Sequence, residues 1–216
     1  PFNGNVNDES GNGNNGTVNG ATLTNDRFGN SNSAYQFDGV DDRVVITSNN
    51  LPSGNSARSV SAWFYPESGN GNIFAYGDGT VNNRRFSILE GGGNVWFVGE
   101  SNDHFGHTIT LNQWHFITVT YANNKLKMYV DGVISDSTFL GTDLNTDGSY
   151  PLVIGSNTTT RNDEFFGGKI AHVSLWDRVL NPQEVQNLYN SGSNHNNSEL
   201  NHNYSWSSGE SNEMIL

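Results

Sequence analysis

The sequence predicts an all-β domain, an antiparallel two-sheet β-sandwich of the jelly-roll kind with one short C-terminal helix. Apolar and polar residues alternate in short runs, and turn residues recur at roughly every 8–12 positions, the spacing of a sandwich rather than of a βα protein. Asparagine is abundant: 34 of the 216 residues are Asn and 25 are Gly. Both accept positive φ at low cost and so build many tight loops. With 12 Phe, 8 Tyr and 5 Trp the chain carries enough aromatic surface to close a core, which a disordered polar chain lacks.

The elements follow in order. Residues Asn3–Gly16 form a low-complexity loop of Asn, Gly and acids, rich enough in oxygen to be ordered by a cation. Ala34–Phe37 reads as a strand that passes through Asp38-Gly39 and Asp41-Asp42 into a second, Arg43–Ile46. Ser59–Tyr65 is a strand stopped by Pro66. Asn72–Tyr76, Arg85–Leu89 and Asn94–Val98 follow with the same period. Trp114–Tyr121 and Lys125–Val130 make the clearest hairpin, joined through Ala122-Asn123-Asn124, and Asp131-Gly132 turns the chain into Val133-Ile134. Leu152–Gly155 and Lys169–Trp176 complete the strands. One helix stands apart: Asn181 is its cap, Pro182 its first residue, and Glu184 lies three after the cap. Val185, Leu188 and Tyr189 share one face, and Gly192 is the expected stop. Ser193–Asn203 reads as a polar linker and Tyr204–Glu210 as the opening of another module. The expected division is therefore a domain over 1–192 and a linker with a truncated module start over 193–216. A chain opening at Pro1 reads as an excised fragment.

Charge narrows the partners. Ten cations stand among 22 acids, a net charge of -12, so the basic surface that nucleic acid or an anionic membrane needs is missing. No apolar run approaches the roughly 18 residues of a membrane span, so no membrane insertion is expected. Without cysteine there is no disulfide framework and no thiolate chemistry. The G-x-S-x-G elbow and the H-E-x-x-H zinc helix are both absent. Asp103-His104-Phe105-Gly106-His107 sets two histidines three apart, but in a glycine-containing loop with no evident third partner. The expectation is a protein that is not an enzyme.

Several segments resemble the laminin-G-like, concanavalin A-like jelly-roll domains of secreted bacterial proteins. They are Asp8–Gly13, Phe37–Asp42, Val60–Trp63, Trp114–Phe116, Leu126–Gly132, Phe166–Ile170 and Asp177–Leu180 with the helix that follows. The resemblance runs in the family's order from about Pro1 to Gly192. It implies the fold, but the superfold hosts lectins, glycan-binding modules, lyases, hydrolases and adhesins. Glycoside hydrolases of this fold resemble one another in an E-x-D-x-x-E strand, which is absent here. The Tyr204-Ser205-Trp206-Ser207 end resembles repeats of large secreted proteins of marine Bacteroidetes, which implies an extracellular module, monomeric within a multidomain chain.

Two stretches have calcium-like oxygen density. The first combines Asp8, Ser10 and Asn12 with Asp41 and Asp42, and similar domains often hold a structural Ca2+ with such acids. The second, Asp143-Leu144-Asn145-Thr146-Asp147-Gly148, opens like an EF-hand loop but has Ile154 where the bidentate acid belongs. The Asp-Glu pair that often follows the family's Phe166–Ile170 segment is replaced by Ala171-His172.

Sugars are held by aromatic faces, with amides and carboxylates at their hydroxyls. Strand alternation sends Val60, Ala62 and Phe64 to one face and Ser61, Trp63 and Tyr65 to the other, and likewise splits Trp96 from Val95 and Phe97. Trp63, Tyr65 and Trp96 are the expected ligand contacts, whereas Trp114 and Trp176 are expected to pack. Arg84, Arg85 and Arg161, with Lys169, would suit a sulfated or uronate-bearing polysaccharide if the fold gathers them. The expected function is a non-catalytic carbohydrate-binding module for a polysaccharide of marine algal or plant type. An adhesin or spacer module is the alternative reading, and a lyase or hydrolase with an unrecognised site a lesser one.

Overall fold

A computed structural model describes residues 2–48, 50–68, 70–191 and 213–215. The strands are β1 (Gly16–Asn19), β2 (Thr22–Thr24), β3 (Ala34–Asp38), β4 (Arg43–Ile46), β5 (Arg58–Ser68), β6 (Gly71–Gly77), β7 (Arg85–Glu90), β8 (Asn94–Val98), β9 (His104–Thr108), β10 (His115–Ala122), β11 (Lys125–Val130), β12 (Val133–Phe139), β13 (Leu152–Ile154), β14 (Gly167–Trp176) and β15 (Glu213–Ile215), with helix α1 (Pro182–Ser191) before the last. They form two antiparallel sheets. The first has the order β1-β4-β13-β6-β7-β8-β9, and the second β12-β11-β10-β5-β14-β3-β2, with β15 added on β14. This is the jelly-roll sandwich that the alternation predicts.

The core lies between the sheets. Val60, Ala62 and Phe64 of β5 and Ile117, Val119 and Tyr121 of β10 face Phe74, Phe86, Ile88, Val95 and Phe97 from the other sheet. Fully burying one side chain of this size stabilises by about 1.5–3 kcal/mol relative to leaving it exposed. Asparagine does the work that its frequency suggests. Asn123 (φ 50) and Asn124 (φ 63) form the two-residue loop between paired Ala122 and Lys125, and Asp131 (φ 52) with Gly132 (φ 79) does the same between Val130 and Val133. Two successive positive φ values define the type I′ turn, whose twist matches the flanking strands.

Four strands lie outside those expected: β1, β2, β9 and β15. Both β1 and β2 are short, and β9 alternates weakly because it is an edge strand with little to bury. β9 is held instead by pairing with β8, with a register shift between Val95 and Trp96. Gly106 sits at this bulge against Met128, where a Cβ would lie 2.3 Å from the Met128 methyl group, so a larger residue there would have to displace the end of the Met128 side chain. The expectation of a loop over Asp103–His107 is thus corrected to an edge strand.

Helix α1 starts as the sequence predicts. The Glu184 N–H donates to Asn181 Oδ1 at 3.0 Å, and the Asn181 N–H donates to Glu184 Oε2 at 2.7 Å, a reciprocal capping box. Val185 is fully buried against Tyr129, Trp176 and Leu180, while Leu188 and Tyr189 pack on Trp63 and Phe116. The helix therefore covers the outer face of the second sheet, and Trp176 packs beneath it as expected. The expected stop at Gly192, the linker and the Tyr204–Glu210 module start lie outside the described residues. β15 pairs antiparallel with Ser174–Trp176 of β14, beyond the Gly167–Ile170 stretch to which β3 pairs.

Candidate functional site

The three aromatics expected to meet a ligand stand in three different environments. Trp63 does lie on the outer face, as alternation requires, yet it is only 7% exposed. The Tyr189 ring of α1 stacks on it at 5.5 Å between centroids, and the Arg27 guanidinium lies 3.8 Å from its ring centroid. Its expected role as an exposed platform is corrected: the period-two pattern places the ring outward, but the amphipathic helix needs a surface and takes this one. Arg27 is itself buried enough that its pKa is pushed down to about 10.

Tyr65, two residues along β5, is half-buried. It meets Trp114 edge-on at 5.7 Å, and Lys169 Nζ lies 4.8 Å from its ring centroid. Trp114 packs against the same outer cluster as Trp63. Lys169 pairs in register with both Tyr65 and Gln36. Gln36 in turn donates to Glu67 at 2.8 Å, so this face of the second sheet is a mixed row whose aromatic ring already carries a cation.

The fold does not gather all four basic residues, although Arg85 and Arg161 share the Glu100 carboxylate. Lys169 belongs to the second sheet, the three arginines to the outer side of the first. Arg85 is 1% exposed and donates to Asn72 Oδ1 (2.6 Å), Ser87 Oγ (3.0 Å), Glu100 Oε1 (2.9 Å) and Glu164 Oε2 (3.0 Å). Arg161 pairs with Asp163 and Glu100 at 3.3 and 3.7 Å. Arg84 pairs with Asp147. Every one of these arginines has a carboxylate of its own, so the expected anion-binding cluster is corrected to a structural network. This network straps the 156–166 segment onto β6 and β7: Asn157 also donates to Asp163 and Glu164, at 2.6 and 2.9 Å. Its charges could not be paired from sequence, because Arg85 and Glu164 are 79 residues apart.

Trp96 is the expected residue that reaches solvent. It is 37% exposed on the outer face of the first sheet, and beside it Phe105 of β9 is 43% exposed, the rings 5.2 Å apart in an edge-to-face contact. The register aligns Leu89 with Trp96 and Trp96 with Phe105, so three apolar side chains cross three adjacent strands. Next to them the Thr108 hydroxyl donates to Asn94 Oδ1 at 3.1 Å. The β7–β8 turn is held by the buried Glu90 carboxylate, which accepts from the Gly93 N–H at 2.7 Å. Burial pushes the Glu90 carboxyl up, against the hydrogen bonds from Gly93 and Asn70. An exposed aromatic pair bordered by an amide and a hydroxyl can stack on an apolar ring and bond the groups at its rim. Phe105 and Thr108 escape sequence reasoning because β9 carries no strand signal, whereas Asn94 lies in the expected β8 run. The two histidines of that segment diverge: His104 bonds Asp136 of β12, tying the edges of the two sheets together, and His107 is exposed in register with Val95.

Among the described residues, the acids close enough to share one ion are Asp38, Asp41 and Asp42. Asp41 and Asp42 were expected there; Asp8 is not part of the group. Asp8 closes its own loop, accepting from Ser10 (N 3.0 Å, Oγ 2.6 Å) and from Asn14 (N 2.9 Å, Nδ2 3.1 Å). Ser10 and Asn12 stay with that loop, where Ser10 Oγ accepts the Asn12 N–H at 3.3 Å. Burial raises the Asp42 carboxyl, and the Asp38 and Asp41 carboxylates add to this against a 2.9 Å bond from the Asp38 N–H. In the second calcium-like stretch Asp147 spends one oxygen on Ser149 and the other on Arg84, a cation supplied by the chain itself.

No helix among the described residues is long and apolar enough to cross a membrane. The fold is similar to that of domain 4 of AbnA, a GH43 extracellular arabinanase from Geobacillus stearothermophilus, in complex with arabinotriose. That likeness has a TM-score of 0.70 and 24% identity over 87% of this chain and 94% of that one. It is similar also to the binding domain of Paraclostridial Mosquitocidal Protein 1 (TM-score 0.70, 20% identity, 89% of this chain and 51% of that one). The botulinum neurotoxin serotype D ligand-binding domain in complex with N-acetylneuraminic acid is a third (TM-score 0.63, 16% identity, 85% and 47%). At these identities the likeness is one of fold. In sequence, the chain is 35% identical over 89 residues to Sushi, von Willebrand factor type A, EGF and pentraxin domain-containing protein 1 of Rattus norvegicus and 34% to that of Mus musculus, matching 36% of this chain and only 2% of the length of those relatives. A laminin G family profile, described as the concanavalin A-like lectin/glucanases superfamily, matches residues 38–186, and the chain belongs to that superfamily.

Proposed function

We propose that this domain is a non-catalytic carbohydrate-binding module that attaches a larger secreted protein to a polysaccharide. The observation that carries the reading is the exposed Trp96–Phe105 pair on the outer face of the first sheet. Aromatic side chains at this exposure are large apolar areas left in water, and a sugar ring covering them would remove that area while Asn94 and Thr108 meet its hydroxyls. The opposite face is occupied by α1, so the ligand side is the helix-free sheet. The arabinotriose complex of the structurally similar arabinanase domain supports sugar as the ligand class. A neutral glycan of plant or algal type suits a face without a free cationic cluster and a net charge of -12. A structural Ca2+ at Asp38, Asp41 and Asp42 would relieve the repulsion among three neighbouring carboxylates.

Affinity electrophoresis against neutral glucans, xylans, mannans and arabinans, beside alginate, carrageenan and sulfated fucan, tests this with and without calcium. Retardation by a neutral class is the expected result. No retardation by any of them removes the glycan reading in favour of an adhesive or spacer module. Release of reducing ends or unsaturated sugars refutes the non-catalytic role.

A further inference from the structure

The turn between β7 and β8 carries three consecutive glycines, and the backbone accounts for two of them. Gly92 (φ 63) and Gly93 (φ 83) hold the left-handed conformation that favours glycine, but Gly91 does not. A Cβ on Gly91 would meet Asn70 Oδ1 at 3.2 Å, Trp96 Nε1 at 3.8 Å and Trp96 Cδ1 at 3.9 Å. The nearest of these atoms is the end of an exposed, flexible side chain, so the fold tolerates alanine here. The missing methyl leaves a notch beside the exposed Trp96 ring, bordered by a carboxamide and by the N–H edge of the indole. A glycine that its own backbone does not require marks a place where another group comes close.

The notch is held from beneath. Glu90 is fully buried, and its two carboxylate oxygens accept from the Gly93 N–H at 2.7 Å and from the Asn70 N–H at 3.4 Å. One carboxylate thus fixes both walls, while the Gly91 N–H donates to the Asn94 carbonyl at 2.7 Å. Asn70 stands at φ 102, a conformation rare for a residue with a side chain, and such positions cluster where ligands are held. Both polar groups of the notch are unspent. Among the described residues neither the Asn70 carboxamide nor the Trp96 indole N–H has a hydrogen-bond partner, and both residues are exposed. The indole N–H only donates, whereas the carboxamide oxygen accepts, so together they complement one hydroxyl group, which accepts from the first and donates to the second. A carboxylate offers acceptors alone and would leave the Asn70 oxygen unmet.

We infer, on the glycan reading of the Trp96 face, that Asn70 and the Trp96 indole N–H together recognise one hydroxyl of a neutral sugar ring stacked on Trp96, and that Gly91 is glycine to admit it. The test is a ¹⁵N NMR titration of the whole chain with arabinotriose, xylotriose, maltotriose and trigalacturonate. It follows the Gly91 amide and the Trp96 indole signal, the one missing from Trp96→Phe. At least one neutral trisaccharide should shift both, and more strongly than trigalacturonate does. Asn70→Gly, which suits the backbone at φ 102, and Trp96→Phe, which keeps a stacking ring, should each weaken that binding about fivefold to tenfold, the effect of one lost hydrogen bond. Gly91→Ala should weaken it at least as much, because its methyl takes the place of the hydroxyl, yet melt no lower than the parent. A merely structural Gly91 would lower the melting temperature and leave the affinity unmoved. The inference is overturned if Gly91→Ala binds as the parent does, if Asn70→Gly and Trp96→Phe leave the affinity unchanged, or if trigalacturonate shifts these signals more strongly. Binding lost in Trp96→Ala but kept in all three of these variants would leave the stacking face standing without the notch. Silence from every trisaccharide also overturns the inference, and the glycan reading falls with it only if affinity electrophoresis is negative too.

Discussion

Replacing Trp63 and Trp96 separately by alanine should give opposite outcomes. Trp63 is 7% exposed and sandwiched between Tyr189 and Arg27, so its removal opens a cavity beneath α1. Truncations of this kind cost about 3–5 kcal/mol. Glycan affinity should stay within about twofold, because no sugar can reach the ring. Trp96 is 37% exposed, and a tryptophan side chain offers about 250 Å², so roughly 90 Å² of it is open to a ligand. At about 25 cal/mol per Å², covering all of that area stabilises a complex by about 2 kcal/mol, or about thirtyfold in Kd. Trp96→Ala should therefore weaken binding by up to that factor, while costing the fold no more than about 2 kcal/mol, since water fills the space and no cavity forms. Urea denaturation and affinity electrophoresis on both variants decide it. Glycan retention that survives Trp96→Ala refutes the stacking face, and a still-folded Trp63→Ala protein that loses retention moves the ligand to the second sheet.

Three further outcomes are expected. Arg85→Met should destabilise by about 3 kcal/mol, because Glu100 and Glu164 lose the buried guanidinium that neutralises them; a change below about 1 kcal/mol in a urea titration would show the network to be dispensable. Burial lowers the His115 pKa, but bonds to Asp131 and the Thr110 carbonyl outweigh it and the net shift is upward. A raised folded-state value contributes stability that is fully present below about pH 6.5 and lost as pH rises through the folded value. His115→Gln should remove that dependence between pH 5.5 and 8.5, and an unaltered pH profile would refute the assignment. Asp42 is raised too, so in chelator the domain should lose stability as pH rises above about 4. Calcium at a hundred times its Kd should then add about 2.7 kcal/mol at pH 7. A melting temperature indifferent to chelation rules out the ion.

Most strands were legible because a half-buried sheet imposes its period of two directly on the residues that form it. β5 shows this: Val60, Ala62 and Phe64 enter the core and Ser61, Trp63 and Tyr65 leave it, as the alternation requires. The capping box of α1 is equally local, with Asn181 and Glu184 three residues apart. β9 was not legible, since an edge strand buries too little to need alternation and owes its conformation to β8.

Alternation says which face a side chain leaves by, and nothing about what lies over that face. Trp63 and Trp96 have the same local signature, yet α1, more than a hundred residues after Trp63, covers one and leaves the other open. The arginines follow the same rule. Arg84, Arg85 and Arg161 read as free cations until the loops bring Asp147, Glu164 and Glu100 to them. Local chemistry settles turns, caps and strand faces, because their interactions span a few residues. Exposure and charge pairing are set by segments far apart in the chain, so only the packed sandwich decides which aromatic rings and which hydroxyls remain free to bind.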